Sequence, residues 1–177
     1  MNANESTDAR TSAAATTGAR GTGSAGTGSG AEYEPSSSER VRDQVARYEA
    51  TGGAEGGELG GLPVVILTTT GSRSGKTRKN PVMRVEQDGV YAAIASYAGG
   101  PENPRWYYNL LAHPYATVQD GPQIRRVRAR EVFDEEKQTW WAVADALNPN
   151  YARYRATAGR DIPVLALEPA DWADEVG

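Results

Sequence analysis

The sequence predicts a small β-barrel of α+β type, with about six mainly antiparallel strands joined by tight turns and short helices. Three observations carry that expectation. Apolar or alternating runs of strand length recur between residues 62 and 169. Asp88-Gly89 and Asp120-Gly121 sit between such runs and read as hairpin turns. The helical patterns interleaved with them are short.

Taken in order, residues 1–35 read as a disordered low-complexity tail. The first 31 are almost entirely Ala, Thr, Gly and Ser, and beyond Met1 they carry no large apolar side chain to repay the entropy of ordering. Ser36 to Ser38 can cap a helix reaching about Ala50, on which Val41, Val45 and Tyr48 form a narrow apolar stripe. Residues 51–61 are glycine-rich and read as a flexible connector, so 36–61 is a helix with its linker and 62–177 is the barrel domain. Strands are expected over 63–70, 80–87 and 90–96. Asn103 and Pro104 open a short helix that His113-Pro114 ends. Further strands are expected over 115–119 and 124–133. Asp134 caps a second helix, a helical segment covers 150–157, and 162–169 is the closing strand.

In the strand over 124–133, Arg125, Arg126, Arg128 and Arg130 alternate with Ile124, Val127, Ala129 and Val132. The arginines read as a solvated sheet face.

Composition excludes several chemistries. With no cysteine there is no disulfide, thiol nucleophile or cysteine-bound metal, and the single His113 leaves no histidine metal site. No apolar run is long enough to span a bilayer, and none resembles a secretory leader. The expected compartment is the cytoplasm. A peripheral place at the inner membrane face is left open, although the polar first helix lends it no support. The formal charge of −4 argues against nucleic acid as a partner, including an RNA-binding use of the arginine strand. Nine tyrosines and four tryptophans against one phenylalanine suit a pocket that stacks on a planar ligand and hydrogen-bonds its edge.

Two stretches could carry chemistry. In LTTTGSRSGKTRKNPVM, a strand feeds a Gly/Ser-rich turn bearing Arg73, Lys76, Arg78 and Lys79 with no acid among them. Such a turn suits a phosphate or an oligocarboxylate, although by spacing alone a solvated hairpin loop is the plainer reading. It is not a phosphate-binding loop of the nucleotidase type, because Gly71 and Gly75 are too close together. In SYAGGPENPRWYYN, Ser96 at a strand end and a glycine pair precede a helix N-terminus that can receive an anion or carbonyl. Trp106, Tyr107 and Leu110 read more simply as core, as do Tyr151 and Tyr154 three residues apart on one helical face.

Together, LTTTGSRSGKTRKNPVM and ASYAGGPENPRWYYNLLAHPYATVQ resemble the deazaflavin-dependent nitroreductase family, which uses coenzyme F420, an 8-hydroxy-5-deazaflavin with an oligoglutamate tail. The likeness runs from about Leu62 to Pro169. It implies a split β-barrel and transfer of a hydride from the reduced coenzyme to a planar electrophile such as a quinone, nitroaromatic or enone. It also implies site residues. Arg73, Ser74, Lys76, Arg78, Lys79, Asn80, Pro81, Val82 and Met83 would hold the coenzyme's phosphate, tail and ring. Ile94, Ala95, Ser96 and Tyr97 would lie along the deazaflavin, and Arg105, Trp106, Tyr107, Tyr108 and Asn109 would contact it from the helix start. Ser96, Tyr151 and Tyr154 would be the catalytic set, with a tyrosine donating a proton or hydrogen bond to the acceptor. Ser72-Arg73, Tyr97 and Arg105 depart from the common family pattern where the tail is gripped, and Asn148 departs on the substrate side. An FMN-binding split-barrel oxidoreductase and a non-enzymatic deazaflavin carrier are the alternatives. The oligomeric state is open, with a homodimer as one option.

Overall fold

A computed structural model describes residues 30–171, so the tail expected over the first 29 residues lies outside the described part. The elements run α1 (Glu39–Thr51), β1 (Glu58–Leu59), β2 (Leu62–Thr70), β3 (Thr77–Met83), β4 (Glu86–Gln87) and β5 (Val90–Ile94). A single 3₁₀ turn at Tyr97–Gly99 leads to α2 (Arg105–Ala112), β6 (Tyr115–Asp120) and β7 (Gln123–Glu131). The chain closes with α3 (Asp134–Leu147), α4 (Asn150–Thr157) and β8 (Val164–Pro169). The expected strands are all present, except that the one expected over 80–87 is broken into β3, which starts earlier at Thr77, and the short β4; β1 is an addition.

The sheet is antiparallel in the order β1-β2-β6-β7-β8-β5-β4, with β3 on β2. Its two ends meet where the chain passes from β3 to β5: Arg84 N–H donates to Pro63 O at 2.9 Å, and Ala92 N–H donates to Val85 O at 2.8 Å. The result is a curled sheet whose seam is joined by the chain itself, which is the split-barrel form.

Alternation along each strand sets what lies inside. Val65 and Leu67 of β2, Val118 of β6, Val127 of β7 and Leu165 and Leu167 of β8 fill the barrel interior, each at most 1% exposed. The opposite parity packs outward. Val64 and Ile66 carry Val45 and Tyr48 of α1. Ala92, Ile94, Val164 and Ala166 carry α3 and α4 through Trp140, Trp141 and Tyr151.

Several local expectations are corrected. Pro104 is the residue before α2 rather than its first, with extended backbone at φ −64° and ψ 151°, and Asn103 does not cap the helix. Asp134 is the first residue of α3 rather than its cap. Ile124 is 67% exposed, because even-numbered positions of β7 face outward with Arg126, Arg128 and Arg130. The glycine-rich stretch after α1 is pinned: the Gln44 amide donates to Gly56 O at 3.0 Å and to Glu58 O at 3.1 Å, and Val64 N–H donates to Gly57 O at 2.9 Å. Residues 31–35, expected with the tail, lie along β3 through a parallel bridge from Tyr33 to Thr77.

Candidate functional site

Register decides where the two motifs meet. Thr68 pairs with Thr117 and Tyr115 pairs with Arg128, so the β2–β3 turn and the C-terminal end of α2 share one end of the barrel. Ile94 pairs with Val164, and Leu165 pairs with Glu131, which brings the exit from β5 to that same end. A cleft of about 660 Å³ opens there, a size that suits a small cofactor.

The turn shapes one side of the cleft. Gly71 N–H donates to Lys76 O at 2.7 Å and Gly75 N–H donates to Gly71 O at 2.9 Å, closing a compact loop. Gly75 has φ +67°, which favours glycine, and a Cβ on Gly71 would lie 2.5 Å from Ser74 Oγ and displace that hydroxyl from its place in the loop. The loop presents Ser72, Arg73 and Ser74, and β3 continues the surface with Arg78, Lys79 and Asn80.

The second side comes from α2 and the segment before it. Spacing of three and four residues puts Arg105, Tyr108 and Asn109 on the cleft face. Trp106, Tyr107 and Leu110 turn inward and plug the barrel end. Tyr107 donates its hydroxyl to Glu131 Oε2 at 3.1 Å, and burial beside that carboxylate pushes its pKa up to about 12. Asn109 joins the two sides. Its Oδ1 accepts Ser72 N–H at 2.9 Å and its Nδ2 donates to Thr69 Oγ1 at 3.0 Å, with the residue only 6% exposed.

Tyr97 rims the cleft, 65% exposed, from a turn in which Tyr97, Ala98 and Gly99 have φ of 45°, 54° and 79°. Three consecutive left-handed residues are costly unless the surroundings hold them. Arg160 supplies much of that hold. Its guanidinium donates to the carbonyls of Ala95 (2.9 Å), Ser96 (3.3 Å), Gly100 (3.1 Å) and Glu102 (2.9 Å), and to Asn103 Oδ1. On the far side of the turn, a Cβ on Gly99 would stand 3.1 Å from Tyr154 Cα, so α4 packs directly against it. Nothing local in the sequence marks Arg160, and its role appears only once the loop is closed in space.

Charge is uneven across the cleft. Arg78 pairs with Glu34 and Lys79 with Glu49, both at 2.5 Å, and Lys76 pairs with Glu32 at 3.2 Å. Among the described residues, neither Arg73 nor Arg105 has a carboxylate within ion-pair distance. Glu34, Ser36 and Ser37 also line the cleft, and nothing in their local sequence singles them out.

The structure therefore brings together Arg73, Ser74, Arg78, Lys79, Asn80, Tyr97, Arg105, Tyr108 and Asn109. Lys76 stands beside them, turned to Glu32. Others of the expected set sit in packed layers. Half-buried Val82 packs on the barrel interior, and Met83 packs toward the helices outside. Pro81 precedes them in the β2–β3 ladder, paired with Ile66. Ala95 is fully buried, Ile94 faces α3 and α4, and Ser96 is 9% exposed next to Tyr97. Neither Tyr151 nor Tyr154 is among the residues that line the cleft. At 2% exposure Tyr151 lies in the layer beneath α3, with Trp141 at 5.8 Å and Tyr154 at 5.9 Å between ring centroids. Burial pushes its hydroxyl far above the usual tyrosine range. Half-buried Tyr154 packs on Tyr151 and on the turn that carries Tyr97. Asn148 is 4% exposed, and its Oδ1 accepts Asn150 N–H at 3.0 Å, so it shapes the entry to α4 rather than the cleft.

Chemically, the guanidiniums of Arg73 and Arg105 suit an oxyanion, Lys76, Arg78 and Lys79 suit further carboxylates, and Tyr97 and Tyr108 offer aromatic surface to a planar group.

Comparison with known proteins gives concordant results. The family model described as F420H(2)-dependent quinone reductase matches residues 40–169. An F420H(2)-dependent quinone reductase of Mycobacterium tuberculosis (strain H37Rv) is 31% identical over 132 residues, covering 72% of this chain and 87% of that protein. The solved structure of an F420-H2 dependent reductase is similar at TM-score 0.57 and 46% identity, over 60% of this chain and 94% of the other. A solved structure described as a domain-swapped dimer is similar at TM-score 0.60 and 42% identity, over 72% and 96%.

Proposed function

The chain belongs to the F420H(2)-dependent quinone reductase family, and from that membership we propose that it reduces a quinone with the reduced deazaflavin coenzyme F420. Nitroaromatics and enones are related planar acceptors that the same site would take. The observation that carries this reading is the cleft at the barrel end, where a cationic turn and an aromatic-rimmed helix face each other across Asn109.

The residues present fit the coenzyme's chemistry. Arg73 and Arg105, without carboxylate partners among the described residues, would hold the phosphate, with the Ser74 hydroxyl nearby on the same loop. Lys76, Arg78 and Lys79 would meet the tail carboxylates. Asn80, Tyr97 and Tyr108 offer polar and aromatic contacts to the ring, and Asn109 fixes the spacing between the two walls. Pro81, Val82, Met83, Ile94, Ala95, Trp106 and Tyr107 form packing on which those contacts rest.

When bound, the reduced coenzyme supplies the hydride. The chain orients the partners and handles the proton. Ser96, nine-tenths buried beside Tyr97, would hydrogen-bond near the reacting edge. Tyr154 is the proposed acceptor-side donor, because a phenol retains its proton at neutral pH and can give a hydrogen bond as charge develops on the acceptor oxygen. Tyr151 backs the Tyr154 ring instead of acting itself.

We further propose a homodimer working in the cytoplasm. The similar domain-swapped structure supports the dimer, and no helix of the described residues is long and apolar enough to cross a membrane. Light scattering on the purified chain decides the first point and cell fractionation the second.

The reading is tested by titrating the protein with F420 and with FMN while following ligand fluorescence, and then assaying menadione reduction. Saturable F420 binding with turnover is expected. FMN binding alone, or binding of neither, overturns the coenzyme assignment, and F420 binding without turnover turns the protein into a carrier.

A further inference from the structure

Two carboxylates, Glu34 lining the cleft and Glu32 beside it, have no part in holding the coenzyme or the acceptor. Glu32 and Glu34 belong to residues 31–37, a strap laid along the start of β3. Its backbone is anchored at Thr77 on both sides. Glu34 N–H donates to Thr77 O at 3.0 Å, Thr77 N–H donates to Glu32 O at 2.9 Å, and Thr77 Oγ1 donates to Ala31 O at 3.0 Å.

That anchoring puts the strap in register with the cations. Side chains two apart on an extended segment share a face. Glu32 and Glu34 therefore meet Lys76 and Arg78, themselves two apart, at 3.2 Å and 2.5 Å. Arg78 also donates to Glu34 O at 3.3 Å. Tyr33 points the other way and lies under Lys79, whose Nζ is 5.0 Å from the ring centroid. The strap thus offers a pair of carboxylates at regular spacing to two cations in the basic row. An oligoglutamate tail would offer that same row the same chemistry.

We propose that Glu32 and Glu34 are specificity-determining residues of the coenzyme site, competing with the tail carboxylates for Lys76 and Arg78. This rests on the coenzyme reading and extends it. Arg73 and Arg105, which have no such competitor among the described residues, carry most of the affinity through the phosphate. A glutamyl tail gains a contact with Lys76 or Arg78 only by displacing an existing ion pair, and the two exchanges nearly cancel. The site therefore accepts short-tailed and long-tailed coenzyme almost equally. The Arg78–Glu34 pair dominates this balance, because its side chains are 30% and 40% exposed against 40% and 76% for Lys76–Glu32.

The experiment measures dissociation constants of wild type and of Glu32→Gln/Glu34→Gln for F420 bearing no glutamate and F420 bearing several. Glutamine keeps the size of the side chain and leaves the strap's backbone bonds in place. Wild type should bind the two forms within a few-fold of each other. The variant should gain about tenfold for the long-tailed form, the size of one charge-assisted hydrogen bond recovered, and little for the tail-less form. Adding Lys76→Ala/Arg78→Ala should abolish that gain. Equal gain for both forms, no gain, or weaker binding of both overturns the inference, the last by showing that Glu34 merely positions Arg78. If wild type binds F420 and the tail-selective gain is absent, this inference alone falls. If neither protein binds any form, the coenzyme reading falls with it.

Discussion

Arg73 and Arg105 differ from the other cations at the barrel end in facing no carboxylate among the described residues, which leaves them the groups best able to hold a phosphate. At this scale the sequence pattern was informative about identity and poor about orientation. Arg73, Arg78 and Lys79 were legible because they crowd a glycine-bracketed turn. Tyr151 and Tyr154 looked equivalent because both sit on one helical face, yet a difference of three residues puts Tyr151 under α3 and leaves Tyr154 half-buried. Burial depends on what packs over a helix, and no local spacing encodes that. The prediction is therefore asymmetric. Tyr154→Phe should lower kcat for menadione reduction by about 10-fold or more, the scale of a missing proton or hydrogen-bond donor, with coenzyme affinity unchanged. Tyr151→Phe should leave kcat within about two-fold on the same principle, since a hydroxyl buried in the layer beneath α3 meets no developing acceptor charge. Equal loss in both variants would return Tyr151 to the mechanism.

At the scale of elements, the site is a joint between the β2–β3 turn and α2, and Asn109 is the pin. Asn109→Leu would leave the buried Thr69 Oγ1 and the partly buried Ser72 N–H without that partner. The expected cost is about 1–3 kcal/mol in stability, measured by urea denaturation, together with weaker coenzyme binding. Asn109→Asp keeps the acceptor for Ser72 and should recover part of both. The helix that carries Asn109 was readable from Pro104, the aromatic run and His113-Pro114. Its first residue shifted by one because Pro104 takes an extended ψ. The strap over 31–37 was not readable. Tyr33 is flanked by polar residues with no apolar periodicity, and only its pairing with Thr77, far along the chain, orders it. Arg160 was missed for the same reason, since the backbone carbonyls it holds lie 58 to 65 positions away.

Across the whole molecule, the barrel was legible because each strand carries its own alternation, whereas the closing of its seam through Arg84 and Val85 has no signature within any single strand. The end opposite the cleft gathers a network that makes a prediction about pH. Tyr91 donates its hydroxyl to Asp120 Oδ2 at 2.7 Å, and Arg84 Nε donates to the same oxygen at 2.8 Å. Burial, reinforced by Asp120, pushes the Tyr91 hydroxyl up to about 12, and Tyr107 is raised similarly. In the unfolded chain a tyrosine ionises near pH ~10. The protonated form is therefore favoured by folding: this contribution is complete below about pH 10 and disappears as pH rises toward about 12. Denaturation midpoints at about pH 8 and about pH 11, on either side of that onset, should differ. Tyr91→Phe should shrink the difference; an unchanged difference would place the alkaline sensitivity elsewhere. The central claim, that the cleft at the other end holds the deazaflavin through Arg73 and Arg105, is tested most directly by F420 titration of Arg73→Ala/Arg105→Ala beside wild type. The dissociation constant should rise about 100-fold, the effect of removing two charge-assisted hydrogen bonds, in a protein of unchanged circular dichroism. F420 affinity equal to wild type in that variant would contradict the claim.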